Sequence, residues 1–215
     1  MHKLKLASVL AAGLLSAAAA SAASVTLDFN GVTAYGSVAD FYNGGTDYAG
    51  ASGTNYGVSF TGSVLSLAND PINGQYFTGA PTSTVIYSNT GNGDGSSVMN
   101  VAGGFSGALG LTYASTSAPT IVNIYAGLNA TGSLLASFSL DPNSDGCAVD
   151  SPACVWTAVS QGFSGVAESV DFSSNSPFTL FTNISINTVP LPSSVLLMSF
   201  GLAGFALFSV RRRAA

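Results

Sequence analysis

Phe105-Ser106-Gly107-Ala108-Leu109-Gly110-Leu111-Thr112-Tyr113 is the most informative stretch of the chain. Its odd positions place Phe105, Leu109, Leu111 and Tyr113 on one face, with small or polar side chains between them. A period of two belongs to a half-buried strand, because successive side chains point to opposite faces of a sheet. The pattern recurs outward in both directions. Runs of the same kind predict strands at residues 25–29, 58–67, 83–87, 98–101, 120–125, 134–140, 155–163, 166–172 and 178–186, each bounded by Gly, Asn, Asp or Pro. Runs 120–125 and 134–140 are expected to pair as a hairpin. Their link, Ala126-Gly127-Leu128-Asn129-Ala130-Thr131-Gly132, is rich in residues that tolerate positive φ. No helical period and no solenoid-type repeat interrupts this region. The expected fold is therefore all-β: a single jelly-roll-like β-sandwich over residues 24–187, flanked by an N-terminal signal helix and a C-terminal transmembrane helix.

Charge is distributed unevenly. The chain has five Lys+Arg, one His and ten Asp+Glu. Every cation lies at an extremity: His2, Lys3 and Lys5 at one end, Arg211, Arg212 and Arg213 at the other. A cation-free domain cannot neutralise phosphates, which excludes nucleic acid as a partner. It also has no side-chain ion pairs, so burial and hydrogen bonds must hold it together. Its negative field suits cations, calcium above all, which prefers carboxylate and carbonyl oxygens.

Both extremities read as addresses. Residues 1–23 follow the secretory plan of a basic start, an apolar run and then small residues, with Ser21 and Ala23 placed before a cut at Ser24, while Ala20 and Ala22 allow a cut one residue earlier. Residues 188–215 begin with Val189-Pro190-Leu191-Pro192, continue through an apolar segment to Val210 and end on the three arginines. At ~1.5 Å per residue, about 20 such residues cross a hydrocarbon core. Arginines on the far side keep that end in the cytoplasm and the folded domain outside.

A short proline motif, one apolar helix and a terminal Arg cluster resemble the PEP-CTERM sorting signal of Gram-negative bacteria. Leu191 stands where Glu is usual, so the tail is similar to the Val-Pro-Leu-Pro variant. The resemblance implies processing by exosortase, a membrane-embedded cysteine protease, after export by the secretion machinery. It also implies a precursor tethered to the inner membrane, then delivery to the cell surface or extracellular matrix of an exopolysaccharide-producing bacterium. The middle resembles other ectodomains with this tail. The matching pieces are Gly53-Thr54-Asn55-Tyr56-Gly57-Val58-Ser59-Phe60, the 125–132 link followed by Leu134-Leu135-Ala136, and Ser169-Val170-Asp171-Phe172. That likeness implies a fold and carries no assigned activity.

Candidate sites are few. Cys147 and Cys154, the only cysteines, are expected to form a disulfide in an exported protein. Asp141, Asn143 and Asp145 in Asp141-Pro142-Asn143-Ser144-Asp145-Gly146 match the first half of a calcium loop. Pro152 stands where that loop needs its bidentate Glu, and a plain turn explains the same residues. A second structural calcium site would pair Asp28 of the first strand with Asn183 of the last, as jelly-roll carbohydrate-binding modules, which the domain resembles in outline, often do near their termini. In the Gly-rich stretch 42–57, Tyr42, Tyr48 and Tyr56 either stack on sugar rings or pack the loop onto the sandwich.

Catalysis has little to work with. The domain has no His, Lys or Arg, so it has no triad, Schiff-base lysine or arginine clamp. The surviving option is a carboxylate pair, Glu168 with Asp171, but residues three apart on a strand face opposite ways. The expected function is a non-enzymatic extracellular-matrix or cell-surface protein. The alternatives are a carbohydrate-binding module recognising exopolysaccharide and, behind it, a carboxylate-dependent glycosidase.

Overall fold

A computed structural model describes residues 22–70, 72, 74–89, 96–116, 118–172 and 179–189. Residues 1–21 of the expected signal segment 1–23, and the tail from Pro190 onward with Leu191, Pro192, Arg211, Arg212 and Arg213, lie outside the described residues.

Within them the chain is all-β, with nine strands and no helix. They are β1 Ala23–Leu27, β2 Val58–Phe60, β3 Val64–Ala68, β4 Thr84–Ser88, β5 Val98–Ser115, β6 Thr120–Gly127, β7 Thr131–Leu140, β8 Thr157–Asp171 and β9 Thr179–Thr188. All pairings are antiparallel, in the order β3-β4-β9-β5-β8-β6-β7, with β1 added on β9 and β2 on β5.

Strand positions follow the alternation, while the breaks differ. The expected run 58–67 is two strands, because a tight turn closes between them with Val64 N–H donating to Thr61 O at 3.0 Å. Runs 98–101 and 105–113 are instead one strand, β5. Glycines that read as a break in sequence act here as a bulge, Gly104 taking a left-handed φ of 75° inside the strand. The same holds for β8, where Gly165 (φ 96°) lies within a single strand.

Long bulged strands let one sheet curl over itself. A single apolar cluster takes side chains from all nine strands, including Leu27, Phe60, Val64, Ile86, Phe105, Ile124, Leu140, Val170 and Ile184. Phe105, Leu109, Leu111 and Tyr113 all point into it. The β6–β7 hairpin turns through Asn129 and Ala130, both left-handed at φ 56° and 57°, the conformation that matches strand twist. The tip is tied down by a reciprocal pair. Asn129 N–H donates to Asn100 Oδ1 at 2.7 Å, and Asn100 Nδ2 donates to Asn129 Oδ1 at 2.9 Å.

Without cations, hydroxyls knit the interior. Thr179 Oγ1 shares hydrogen bonds with Ser115 Oγ (2.9 Å) and Thr120 Oγ1 (2.6 Å), all three residues buried. Among the described residues, Ser37 Oγ is the lone buried side-chain polar atom with no partner. Such near-complete satisfaction is what a low-dielectric interior demands.

Candidate functional site

The first strand and the last lie side by side, with Ala23 opposite Thr188. The polypeptide therefore enters and leaves the fold at one place, and Val189 N–H is held by Gly104 O at 3.0 Å. Whatever follows Val189 departs from a fixed point beside the start of β1.

Residues 28–57 form a long connection that lies against β3. Tyr35 N–H donates to Ser66 O (2.9 Å), Ser66 N–H to Gly36 O (2.8 Å) and Val38 N–H to Val64 O (3.2 Å). This covers the outer edge of the terminal strand, which would otherwise invite pairing with another chain.

The three tyrosines of the sugar-stacking reading separate here. Tyr42 is only 4% exposed, and its hydroxyl accepts the Phe29 N–H at 2.9 Å. Its ring packs edge-on against Phe41 and Phe29, at 4.8 and 5.9 Å between centroids. Burial pushes the Tyr42 phenol far above its ordinary value. This corrects the grouping: Tyr42 is a packing residue, with no free face for a sugar. Tyr48 and Tyr56 remain at the surface, 53% and 37% exposed. Tyr48 donates to Ala34 O at 2.7 Å, and Tyr56 stacks on Tyr42 at 6.0 Å.

The loop turns on Asp47, which sequence reasoning passed over. Its buried carboxylate accepts N–H groups from Thr33 (2.7 Å), Ala49 (2.9 Å) and Ala51 (2.9 Å). Burial alone would raise the carboxyl pKa. Bonds from Thr33, then Ala51 and Ala49, outweigh that and hold it below the usual carboxylate value. An Asp whose second and fourth followers are small residues in a Gly-rich stretch was the available signal.

The calcium candidates have the following surroundings. Asn143 is committed on every side: Oδ1 accepts Ser115 N–H at 2.8 Å, and Nδ2 donates to Thr157 Oγ1 at 2.9 Å and Tyr113 O at 3.3 Å. It joins the ends of β5 and β8. Asp141 accepts from Ser139 Oγ at 3.4 Å, and Asp145 is exposed. Asp28 and Asn183 sit one position beyond the last β1–β9 pair, Leu27 with Ile184. Asp28 accepts both the backbone N–H and the side-chain amide of Asn30, each at 3.1 Å. Asn183 takes a left-handed φ of 48° at a β9 bulge, a conformation that Asn adopts more readily than most residues. Among the described residues, no three acidic, His or Cys side chains converge as a metal cluster.

Cys147 and Cys154 form a disulfide, with Cα atoms 5.6 Å apart. The loop it closes docks on the segment before β4. Phe77 bridges to Ala153, Thr78 N–H donates to Ala153 O (2.9 Å), and Trp156 Nε1 donates to Thr78 O (2.8 Å). Closing so short a loop is worth roughly 2–3 kcal/mol in the chain-entropy picture. Cys154→Ser should lower the unfolding free energy by about that amount, measured by urea denaturation of the oxidised protein against the variant.

The described residues define a class of molecule: a disulfide-bonded, antiparallel β domain whose first and last strands pair. The family model described as the PEP-CTERM protein-sorting motif matches residues 188–213, so the chain carries that motif. It starts on Thr188, the final residue of β9. The motif supports an exported protein with a membrane-anchored precursor and an exosortase as its processing partner. No curated protein and no solved structure matches the chain.

Proposed function

We propose that this chain is a non-enzymatic extracellular-matrix or cell-surface protein of an exopolysaccharide-producing Gram-negative bacterium, with a jelly-roll-like sandwich as its working part. The sorting motif at 188–213 carries this reading. A disulfide suited to an oxidising compartment and a domain without Lys, Arg or His support it. Residues 1–23 serve as signal peptide, and the apolar segment after Pro192 spans the inner membrane until exosortase acts. Glu168 and Asp171 lie three apart on β8, which favours a binding or structural role over paired-carboxylate hydrolysis.

The test follows the protein through the cell. In the wild type, the processed form should reach the surface or matrix fraction. Without exosortase, or with Arg211, Arg212 and Arg213 replaced by Ser, the unprocessed form should accumulate in or leak from the envelope. An unchanged distribution in both cases overturns the reading. A carbohydrate-binding role is the second reading, favoured by the exposed rings of Tyr48 and Tyr56. Retention on purified exopolysaccharide that is lost in Tyr48→Ala would move the conclusion to it. Structural calcium at Asp28 with Asn183 is compatible with either reading.

A further inference from the structure

Beside the disulfide loop a second apolar cluster reaches the surface. Phe77, Val85, Ala114, Ala153 and Leu180 form its buried part, with Tyr87 and Trp156 packed against it. There the surface opens into a cleft of about 270 Å³, walled by Leu67 of β3, Tyr87 of β4, Leu180 of β9, Thr116 just past the end of β5, and Tyr76, Pro152 and Ala153 from the two flanking loops. Three walls are strands of one sheet. The two flanking loops are clamped by the disulfide and by the bonds that join Ala153 and Trp156 to Thr78. The cleft is therefore preformed, which keeps the entropic cost of filling it low.

Its chemistry is narrow. The lining is overwhelmingly apolar, and the side chains with hydrogen bonds to offer are the phenols of Tyr76 and Tyr87 and the hydroxyl of Thr116. Burial raises the Tyr87 phenol and the neighbouring Tyr76 adds to it, so the Tyr87 hydroxyl stays neutral at any physiological pH. Tyr35 meets Tyr76 edge-on at 6.4 Å and extends the aromatic rim towards Asp70. Residues 22–189 contain no Lys, Arg or His, so an anion would enter unpaired and lose its hydration without return. A cation would lose its own hydration against apolar walls, with Asp70 outside at the rim. What fits is uncharged. At the small end of ligand clefts, the volume suits one or two rings.

We propose that this cleft is a binding site for a small uncharged compound with an apolar ring body and one hydroxyl or carbonyl oxygen. The rings of Tyr76 and Tyr87, with Leu67, Leu180 and Pro152, cover the body, while a tyrosine hydroxyl meets the oxygen. The disulfide is part of the site because it holds Pro152 and Ala153 in the wall. The proposal does not depend on the sorting reading, since it concerns only the domain's own surface.

The probes are 1-naphthol and 1-naphthoate, which share a ring body and differ in charge. Titration calorimetry on the exported, oxidised protein should show saturable heat with 1-naphthol and affinity at least about tenfold weaker for 1-naphthoate. Tyr87→Phe, which keeps the packing, should weaken 1-naphthol by roughly three- to tenfold. Tyr76→Ala at the surface should weaken it further, and Tyr48→Ala not at all. No saturable heat with 1-naphthol, or equal affinity for both probes, overturns the proposal. So does binding that survives both Tyr76→Ala and Tyr87→Phe. A protein correctly sorted by exosortase that fails these titrations removes the cleft site alone, and binding by a missorted protein removes only the matrix reading.

Discussion

Phe105→Ala is expected to destabilise the protein by about 3–5 kcal/mol, a large share of what holds a domain of this size together. Phe105 is fully buried and sits in the central strand β5, opposite Ala167 of β8 on one side and Thr188 of β9 on the other. Its ring meets Phe163 edge-on at 5.4 Å, an arrangement that adds to simple area burial. The two glycines before it leave little nearby side-chain volume to collapse into the hole. Most of the transfer and cavity terms should therefore appear in full. Phe105→Leu should cost less than half as much, because most of the volume is kept. Urea unfolding followed by Trp156 fluorescence measures both variants. A loss below about 1 kcal/mol for the alanine variant would show that the sheet does not close over this residue.

The same strand shows what alternation in a sequence can and cannot reveal. Phe105, Leu109, Leu111 and Tyr113 share a face because side-chain direction on a strand depends only on parity, which is written locally. Strand length is not local. Gly103-Gly104 and Gly165 look like chain breaks, yet ladder partners on both sides of β5, and β5 itself beside β8, carry each strand through its bulge. The hairpin at Asn129-Ala130 was legible because its positive φ values demand particular residues.

Of the site features, the disulfide could be read from cysteine count alone, and the tail from its hydropathy and charge order. Tyr42 could not be told from Tyr48 and Tyr56, since all three lie in the same Gly-rich stretch. Only the fold sends one ring inward to Phe29 and leaves the others at the surface. The cleft beside the disulfide joins residues from β3, β4, β9 and two loops, so no contiguous stretch could announce it. Asn143 illustrates the converse. It sits in a sequence resembling half of a calcium loop, but its side chain is taken up by Ser115, Thr157 and Tyr113.

Asp47 sets the second large effect, because one carboxylate replaces three backbone partners at once. Asp47→Ala frees the N–H groups of Thr33, Ala49 and Ala51, in a loop that has no other strong polar anchor for them. Each orphaned donor costs about 1–3 kcal/mol where water cannot reach it, and less where the loop opens to admit it. The expected loss is about 2–4 kcal/mol. Asp47→Asn, with a single acceptor oxygen and no charge, should fall between wild type and alanine. The acid limb carries the signature. The folded carboxyl lies below its ordinary value, so its stabilisation is complete above the unfolded pKa of about 3.9 and disappears as pH falls through the lower folded one. Wild-type stability should thus decline below about pH 4, with a shallower decline in Asp47→Asn. Because residues 35–38 of this loop cover the β3 edge, the alanine variant should also expose that edge and aggregate more readily at neutral pH. Identical acid profiles for wild type and Asp47→Asn would mean that the cage around Asp47 does not hold the loop.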